Sequence, residues 1–156
     1  TNAGASRVCR EALACEGVSD EDLENGYLCD PESKSDLRTV ARPGILVRLT
    51  RNFDKQRGFV NGAVGVVWES LCGNGVFVVK LLGTGNLVLV YPMEEQGQRF
   101  LPCCYGYGLT VRRAQGLGVE LGCIFFDQKK RAAGRSTRGA ACSSALRARQ
   151  GTRGSG

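Results

Sequence analysis

Short apolar runs separated by glycine-rich turns dominate the middle of the chain. The runs are ILVRLT (45–50), AVGVVWE (63–69), GVFVVKLL (75–82) and NLVLVY (86–91). Turn signals such as Asn61-Gly62 lie between the runs, and such residues favour tight connections between antiparallel strands. The pattern therefore predicts a small, strongly curved antiparallel barrel or sandwich, with Trp68 and Phe77 in its core.

Residues 1–42 have a different pattern, which predicts an acidic segment of short helices and turns. Ser19 is followed by three acidic residues, and a hydroxyl cap before carboxylates favours a helix start that Gly26 can end. Residues 1–40 contain 4 basic and 9 acidic side chains. This acidic surplus is most simply interpreted as a solvated face.

Two adjacent arginines mark the stretch LTVRRAQG (109–116), which could form a short helix ended by Gly116. The apolar run VELGCIFFD (119–127) follows and suits a buried strand. Thr, Arg and Gln side chains, with amides exposed by glycine, are the groups that contact phosphate and sugar. By themselves these residues leave two interpretations open, a solvated basic turn and a phosphate-binding surface.

Positive charge is concentrated in the later part of the chain. The net charge is +6, and residues 41–156 contain 17 basic and 6 acidic side chains. This asymmetry favours a polyanionic partner, either nucleic acid or an anionic membrane. Residues 129–156 contain 8 basic side chains and no acidic ones, among mostly small residues. The tail at 128–156 is therefore predicted to be a poorly ordered arm that adds nonspecific affinity for phosphate.

Several classes of protein are disfavoured. No apolar run approaches the ~18 residues of a membrane span, and the N-terminal stretch lacks the apolar core of a secretory signal. We therefore expect an intracellular protein with no membrane partner. The eight cysteines are scattered, without His or a C-x-x-C pair, so we predict reduced, mostly buried thiols and no metal site. The chain begins at Thr1 and has its only Met at Met93, and we expect it to be a piece of a longer protein.

Two blocks of the sequence, in this order, resemble the C-terminal part of the Pif/RecD-type superfamily-one DNA helicases. The first is PGILVRLTRNFDKQRGFVNGAVGVV (43–67), and it carries the residues of the family's motif Asn52, Gly58, Asn61, Gly62 and Gly65. The second is FLPCCYGYGLTVRRAQGL (100–117), which keeps Pro102, Thr110, Gln115 and Gly116. Arg112 and Arg113 stand where the family usually has His or Asn and then Lys, and Arg differs from Lys in geometry.

The resemblance implies an α+β or α/β fragment. In it a small antiparallel SH3-like β-barrel at 43–98 is inserted in a RecA-like helicase domain, to which 99–127 return. It also implies that single-stranded DNA and the remainder of the helicase, with the first RecA-like domain, are the partners. The residues that it assigns to strand contact, and to coupling with the nucleotide site, are Thr110, Arg112, Arg113, Gln115 and Gly116.

The chemistry of ATP hydrolysis is missing from this sequence. The phosphate-cradling G-x-x-x-x-G-K-[ST] loop does not occur in it. We therefore expect this chain alone to bind no cofactor and to contain no catalytic residue, whereas the complete parent enzyme is expected to bind ATP and Mg. For a DNA helicase from a eukaryote, we expect a nuclear or mitochondrial location. Two alternatives stay open, a stand-alone small-barrel module that binds nucleic acid or protein without ATPase activity, and a nonfunctional fragment.

Overall fold

Two helices and seven strands make up the described part of the chain. The computed structural model describes residues 2–71 and 73–110. The helical elements are α1 (Asn2–Cys15), α2 (Asp20–Glu24) and a single 3-10 turn at Pro31–Ser33. The strands are β1 (Leu46–Leu49), β2 (Val64–Leu71), β3 (Val76–Leu81), β4 (Leu87–Val90), β5 (Met93–Glu95), β6 (Gln98–Phe100) and β7 (Cys103–Tyr105).

Five of the strands form one antiparallel sheet in the order β4-β3-β2-β1-β7, and β5 pairs with β6 as a separate hairpin. The four apolar runs of the sequence are confirmed as β1 to β4. The sheet ends at β4 on one side and at β7 on the other, and these two edges do not pair within the described residues. A closed SH3-like barrel and a RecA-like domain therefore stay predictions, as do the boundaries at 42/43 and 98/99.

Strand β7 enters the sheet beside β1, with Val47 opposite Tyr105 and Leu49 opposite Cys103. The three residues of β7 are buried. Because 103–105 extend the sheet that contains β1 to β4, this short strand joins the region before Thr110 directly to the small-strand region.

Trp68 was expected in the core, and this prediction is wrong, whereas Phe77 is confirmed there. Trp68 is 54% exposed and Phe77 is fully buried. Gly65 and Val67 occupy the inward positions of β2, so the alternation of side chains along a strand sends Trp68 to the outer face. A register shift follows at once between Val67 and Glu69, which is the position of a β-bulge.

The N-terminal helices pack on the same hydrophobic core as the sheet. Leu13 of α1 and Leu23 of α2 belong to one cluster with Val47, Phe77 and Leu101. Burial of an aliphatic or aromatic side chain of this size contributes about 1.5–3 kcal/mol, so α1 and α2 are held by tertiary contacts and not by helix propensity alone.

The predicted helix start at Ser19 is confirmed as a capping box. Ser19 Oγ accepts a hydrogen bond from the Asp22 amide at 3.1 Å, and the Ser19 amide donates to Asp22 Oδ2 at 2.9 Å. Hydrogen bonds from the backbone and the side chain of Ser19 to the Asp22 carboxylate lower the pKa of Asp22. The helix ends at Glu24, and the Gly26 amide then donates to Leu23 O at 3.1 Å, so Gly26 lies just beyond the last turn as expected.

Candidate nucleic-acid interface

The motif residues Asn52, Asn61 and Gly62 close the base of the loop that joins β1 to β2. Asn52 Oδ1 accepts a hydrogen bond from the Asn61 amide at 2.9 Å. The Gly62 amide donates to Leu49 O at 2.8 Å, and Gly62 has a φ of +94°, a conformation that other residues rarely adopt. These three residues therefore hold the ends of the loop together.

The tip of this loop is a tight turn built around Asp54. Its Oδ1 atom accepts from the Gln56 amide at 3.1 Å and the Arg57 amide at 3.2 Å, and the Phe59 amide donates to Asp54 O at 2.8 Å. Gly58 completes the turn with a φ of +87°. The Asx turn thus fixes the direction in which the side chains at the tip project.

Gly65 serves the contact between β2 and β3. A Cβ atom at Gly65 would lie 2.6 Å from Lys80 O and would also overlap Val79 Cγ1. The five residues of the first motif block thus shape a loop and a strand pair. In the described structure none of these residues offers a reactive group of its own.

The loop tip carries an aromatic and basic surface that sequence reasoning did not single out. Phe53 is 45% exposed and packs on Phe59 with ring centroids 5.0 Å apart. Lys55 and Arg57 are exposed on either side of the turn, and Arg57 Nε lies 3.8 Å from Asp54 Oδ2. Proteins that bind single strands commonly use aromatic side chains to stack on bases and nearby cations to attract backbone phosphates. The signal was present in the interleaved run RNFDKQR (51–57).

Thr110 lies at the end of the described chain, on the segment that leaves β7. Two tyrosines anchor this segment to its surroundings. Tyr105 Oη accepts from the Val40 amide and donates to Arg38 O, both at 2.8 Å. Tyr107 Oη accepts from the Leu46 amide at 3.0 Å. Thr110 is half-buried and lies beyond the end of β7, whereas Arg112, Arg113, Gln115 and Gly116 lie outside the described residues.

Thr110 also lines a small cavity between α1, β1 and β7. The cavity has a volume of about 40 Å³. Its lining residues are Asn2, Ala5, Ser6, Cys9, Ser33, Lys34, Ser35, Arg48, Cys104, Tyr105, Gly108, Leu109 and Thr110. No carboxylate belongs to this lining among the described residues, so the cavity offers hydrogen-bond donors and positive charge.

The buried cationic group of this cavity is Arg48, which is only 8% exposed. Its Nη2 atom donates to Cys104 Sγ at 3.1 Å, while its Nε atom has no hydrogen-bond partner within the part of the chain that the structure describes. Sequence reasoning treated Arg48 as part of a strand. The available signal was the lone charged residue in the apolar run ILVRLT (45–50).

The described cysteines are free thiols, and four of the five are buried. Burial raises the pKa of Cys9 to about 11 and that of Cys29 to about 12, so both are protonated at neutral pH. In residues 2–71 and 73–110, no group of three or more His, Cys, Asp or Glu side chains is placed to hold a metal ion. None of the described helices has the length and apolarity needed to cross a membrane.

No family model and no curated protein matches the sequence. Similar solved structures include Pif1 helicase from Bacteroides in complex with ADP-AlF3 and single-stranded DNA, which is 20% identical with a TM-score of 0.52 over 75% of this chain and 30% of that chain. Bacteroides Pif1 bound to single-stranded DNA is 22% identical with a TM-score of 0.42 over 60% and 25%. A structure of two coordinating Pif1 helicases at forked double-stranded DNA is 26% identical with a TM-score of 0.42 over 58% and 23%.

Of these structures, the complex with ADP-AlF3 and single-stranded DNA is the one used to compare folds. This chain spans less than a third of the length of that helicase chain. Three quarters of this chain align with it. The resemblance that the two sequence blocks indicated is confirmed at the level of the fold, because this chain is similar in fold to part of a Pif1 helicase structure.

Proposed function

We propose that this chain is the C-terminal portion of an ATP-dependent DNA helicase, which contributes contact with single-stranded DNA and couples it to ATP hydrolysis elsewhere in the parent enzyme. The observation that carries the proposal is the fold shared with a helicase that was solved with ADP-AlF3 and single-stranded DNA. In this scheme 43–98 form the SH3-like unit and 99–127 return to the RecA-like domain.

The strand contact would be made by the segment that follows β7. A threonine hydroxyl, as in Thr110, donates to phosphate oxygens at short reach, and the guanidinium groups of Arg112 and Arg113 form charge-assisted hydrogen bonds with phosphate. Gln115 and the Gly116 amide add further donors. Because β7 is buried and hydrogen-bonded to β1, a pull on this segment would be transmitted to the sheet.

The basic, aromatic loop tip supplies a second contact in the same proposal. Phe53 can stack on a base, and Lys55 and Arg57 can face the backbone. ATP and Mg would bind to parts of the parent enzyme that this sequence does not include, since the phosphate-binding loop is absent from it. The isolated chain is therefore expected to bind single strands weakly and to have no ATPase activity.

The test is a salt series with a labelled single-stranded oligonucleotide, followed by fluorescence anisotropy. R112A/R113A should weaken binding and reduce the slope of log K against log salt by about 1.4, because each phosphate contact on a single strand contributes about 0.7. The matched control is K129A/K130A, which removes two charges from the tail. An unchanged slope in R112A/R113A, together with a reduced one in the control, would assign the binding to the tail and reject the proposed contact.

The second candidate function is a stand-alone binding module, and the outer face of the sheet favours it. Trp68, Leu87, Leu89 and Tyr91 are each about half exposed, so this face carries more apolar surface than scattered single residues would. The encoding gene discriminates between the two functions. An in-frame G-K-[ST] loop upstream of Thr1 supports the helicase, and its absence over several hundred codons supports the module.

A further inference from the structure

Arg48 is a buried cation that lacks an acidic partner among the described residues. Arg48 is more than nine-tenths buried, its Nη2 atom donates to Cys104 Sγ at 3.1 Å, and its Nε atom has no hydrogen-bond partner in residues 2–71 and 73–110. A thiol sulfur is a weak acceptor. Removing an unpaired charge from water is costly, and such groups in proteins are usually paired with an opposite charge.

Neither Cys9 nor Asp36 supplies the missing negative charge inside the cavity. Cys9 lines the same cavity, but its burial raises its pKa to about 11, so it is a neutral thiol at pH 7. Asp36 lies near the rim, where its Oδ1 accepts a hydrogen bond of 2.5 Å from Ser6 Oγ, but it does not line the cavity. The cavity beside Arg48 is thus electrically incomplete within the described residues.

Other donors converge on the same cavity. Lys34 contributes an ammonium group, and Thr110 contributes a hydroxyl. Ser33 Oγ accepts from the Ser35 amide at 3.2 Å, which leaves its own O–H group available to donate. The volume of about 40 Å³ exceeds the ~10–15 Å³ that holds one water, so a small group of atoms can enter.

We propose that the cavity beside Arg48 is a binding site for one phosphate group, supplied either by the backbone of a single-stranded nucleic acid or by free inorganic phosphate. The planar guanidinium fork matches phosphate oxygens in geometry, and Lys34 adds a point charge. The proposal that the phosphate comes from a nucleic-acid backbone rests on the proposed function, because Thr110 lines the cavity and also belongs to the proposed strand contact. Binding of free phosphate does not depend on that contact.

The first experiment follows thermal unfolding of the full chain in inorganic phosphate and in sodium chloride of equal ionic strength. For a dissociation constant of about 1 mM, ~10 mM phosphate should raise the Tm by about 5 °C. Arg48→Met keeps an unbranched stem of similar volume without charge, so it should fold, and we expect it to lose this shift. Arg7→Met is the matched control, because it removes one exposed positive charge of α1 that does not line the cavity.

Titration calorimetry with inorganic phosphate gives a second reading. Arg48→Met should lower affinity by about tenfold or more, whereas Arg7→Met should leave it within about twofold. Asp36→Asn removes the negative charge at the rim and should raise affinity. A wild-type chain that shows no phosphate-specific shift, or an Arg48→Met variant that keeps the full shift, would overturn the proposal.

A single-stranded oligonucleotide separates the two sources of phosphate. If Arg48→Met weakens binding of both the oligonucleotide and free phosphate, the site takes a backbone phosphate. If it weakens only the binding of free phosphate, the site takes the free ion. The proposed strand contact can fail by itself. It is rejected if R112A/R113A leaves oligonucleotide binding unchanged, and the phosphate site still stands if Arg48→Met weakens binding of inorganic phosphate.

Discussion

Arg51 Nε donates to Oδ2 of the fully buried Asp30 at 2.6 Å, and Arg51 Nη2 donates to Oδ1 at 3.0 Å. Thr50 Oγ1 donates to the same carboxylate at 2.6 Å. Asp30 caps the start of the 3-10 turn, and Arg51 follows β1, so this bidentate pair joins the acidic N-terminal segment to the sheet. Removal of one member leaves the other charge without its partner in a low-dielectric site.

We expect Arg51→Ala to lower the free energy of unfolding by about 3–5 kcal/mol, since it leaves the buried carboxylate of Asp30 without its cation. Glu95 contacts Arg51 from the exposed side, with Arg51 Nη1 3.1 Å from Oε1, so Glu95→Gln is the matched control and should cost less than about 1 kcal/mol. Urea denaturation followed by circular dichroism measures both. If the two variants lose the same free energy of unfolding, the buried pair contributes no more to stability than the exposed one.

The same pair predicts a pH dependence of stability. Burial alone would raise the pKa of Asp30, but the hydrogen bonds from Arg51, Thr50 and the Glu32 amide outweigh it and hold the pKa below its ordinary 3.8. Because the folded pKa is depressed, the contribution of Asp30 is fully present above about pH 4 and is lost as the pH falls through the folded value. The difference in unfolding free energy between wild type and Asp30→Asn should be constant from pH 7 to 5 and shrink below pH 4.

Two glycines of the first motif block should respond differently to alanine. Gly65→Ala forces a Cβ atom onto Lys80 O and Val79 in the β2-β3 pair, and we expect a loss of about 2–4 kcal/mol. Gly62→Ala meets no atom within 4 Å, and only its φ of +94° is unfavourable, so the loss should be about 1 kcal/mol. Denaturant unfolding ranks the two, and a larger loss at Gly62 would contradict the close packing at Gly65.

Trp68 is the only tryptophan, so its fluorescence reports its position directly. At 54% exposure it should be quenched by acrylamide nearly as fast in the native chain as in urea. Lys80 Nζ lies 4.6 Å from the Trp68 ring centroid, and Lys80→Met should alter the native emission without a large loss of stability. If quenching of the native chain is several times slower than quenching in urea, Trp68 is buried in the core, and this contradicts its exposed position.

Part of this fold follows from local sequence rules. Apolar runs of strand length between glycine turns located β1 to β4, and the Ser19 hydroxyl before three acidic residues located α2. Such signals act over a few residues, through backbone turn geometry and capping, so they can be recognised without the rest of the chain. Of the first motif block, Asn52, Gly58, Asn61 and Gly62 lie in a loop whose conformation suits those residue types, whereas Gly65 lies in β2.

Other features depend on which segments meet in space. The side of the sheet to which Trp68 points depends on which residues of β2 face the core and on the β-bulge that β2 forms against β3. The pairing of β7 with β1 brings Thr110 to the cavity that Arg48 also lines, although more than sixty positions separate these residues in the sequence. The local sequence determined strands, caps and turns, whereas only the tertiary structure buried Arg48 and placed it in the lining of the same cavity as Thr110, because burial depends on how distant segments pack and not on any one segment.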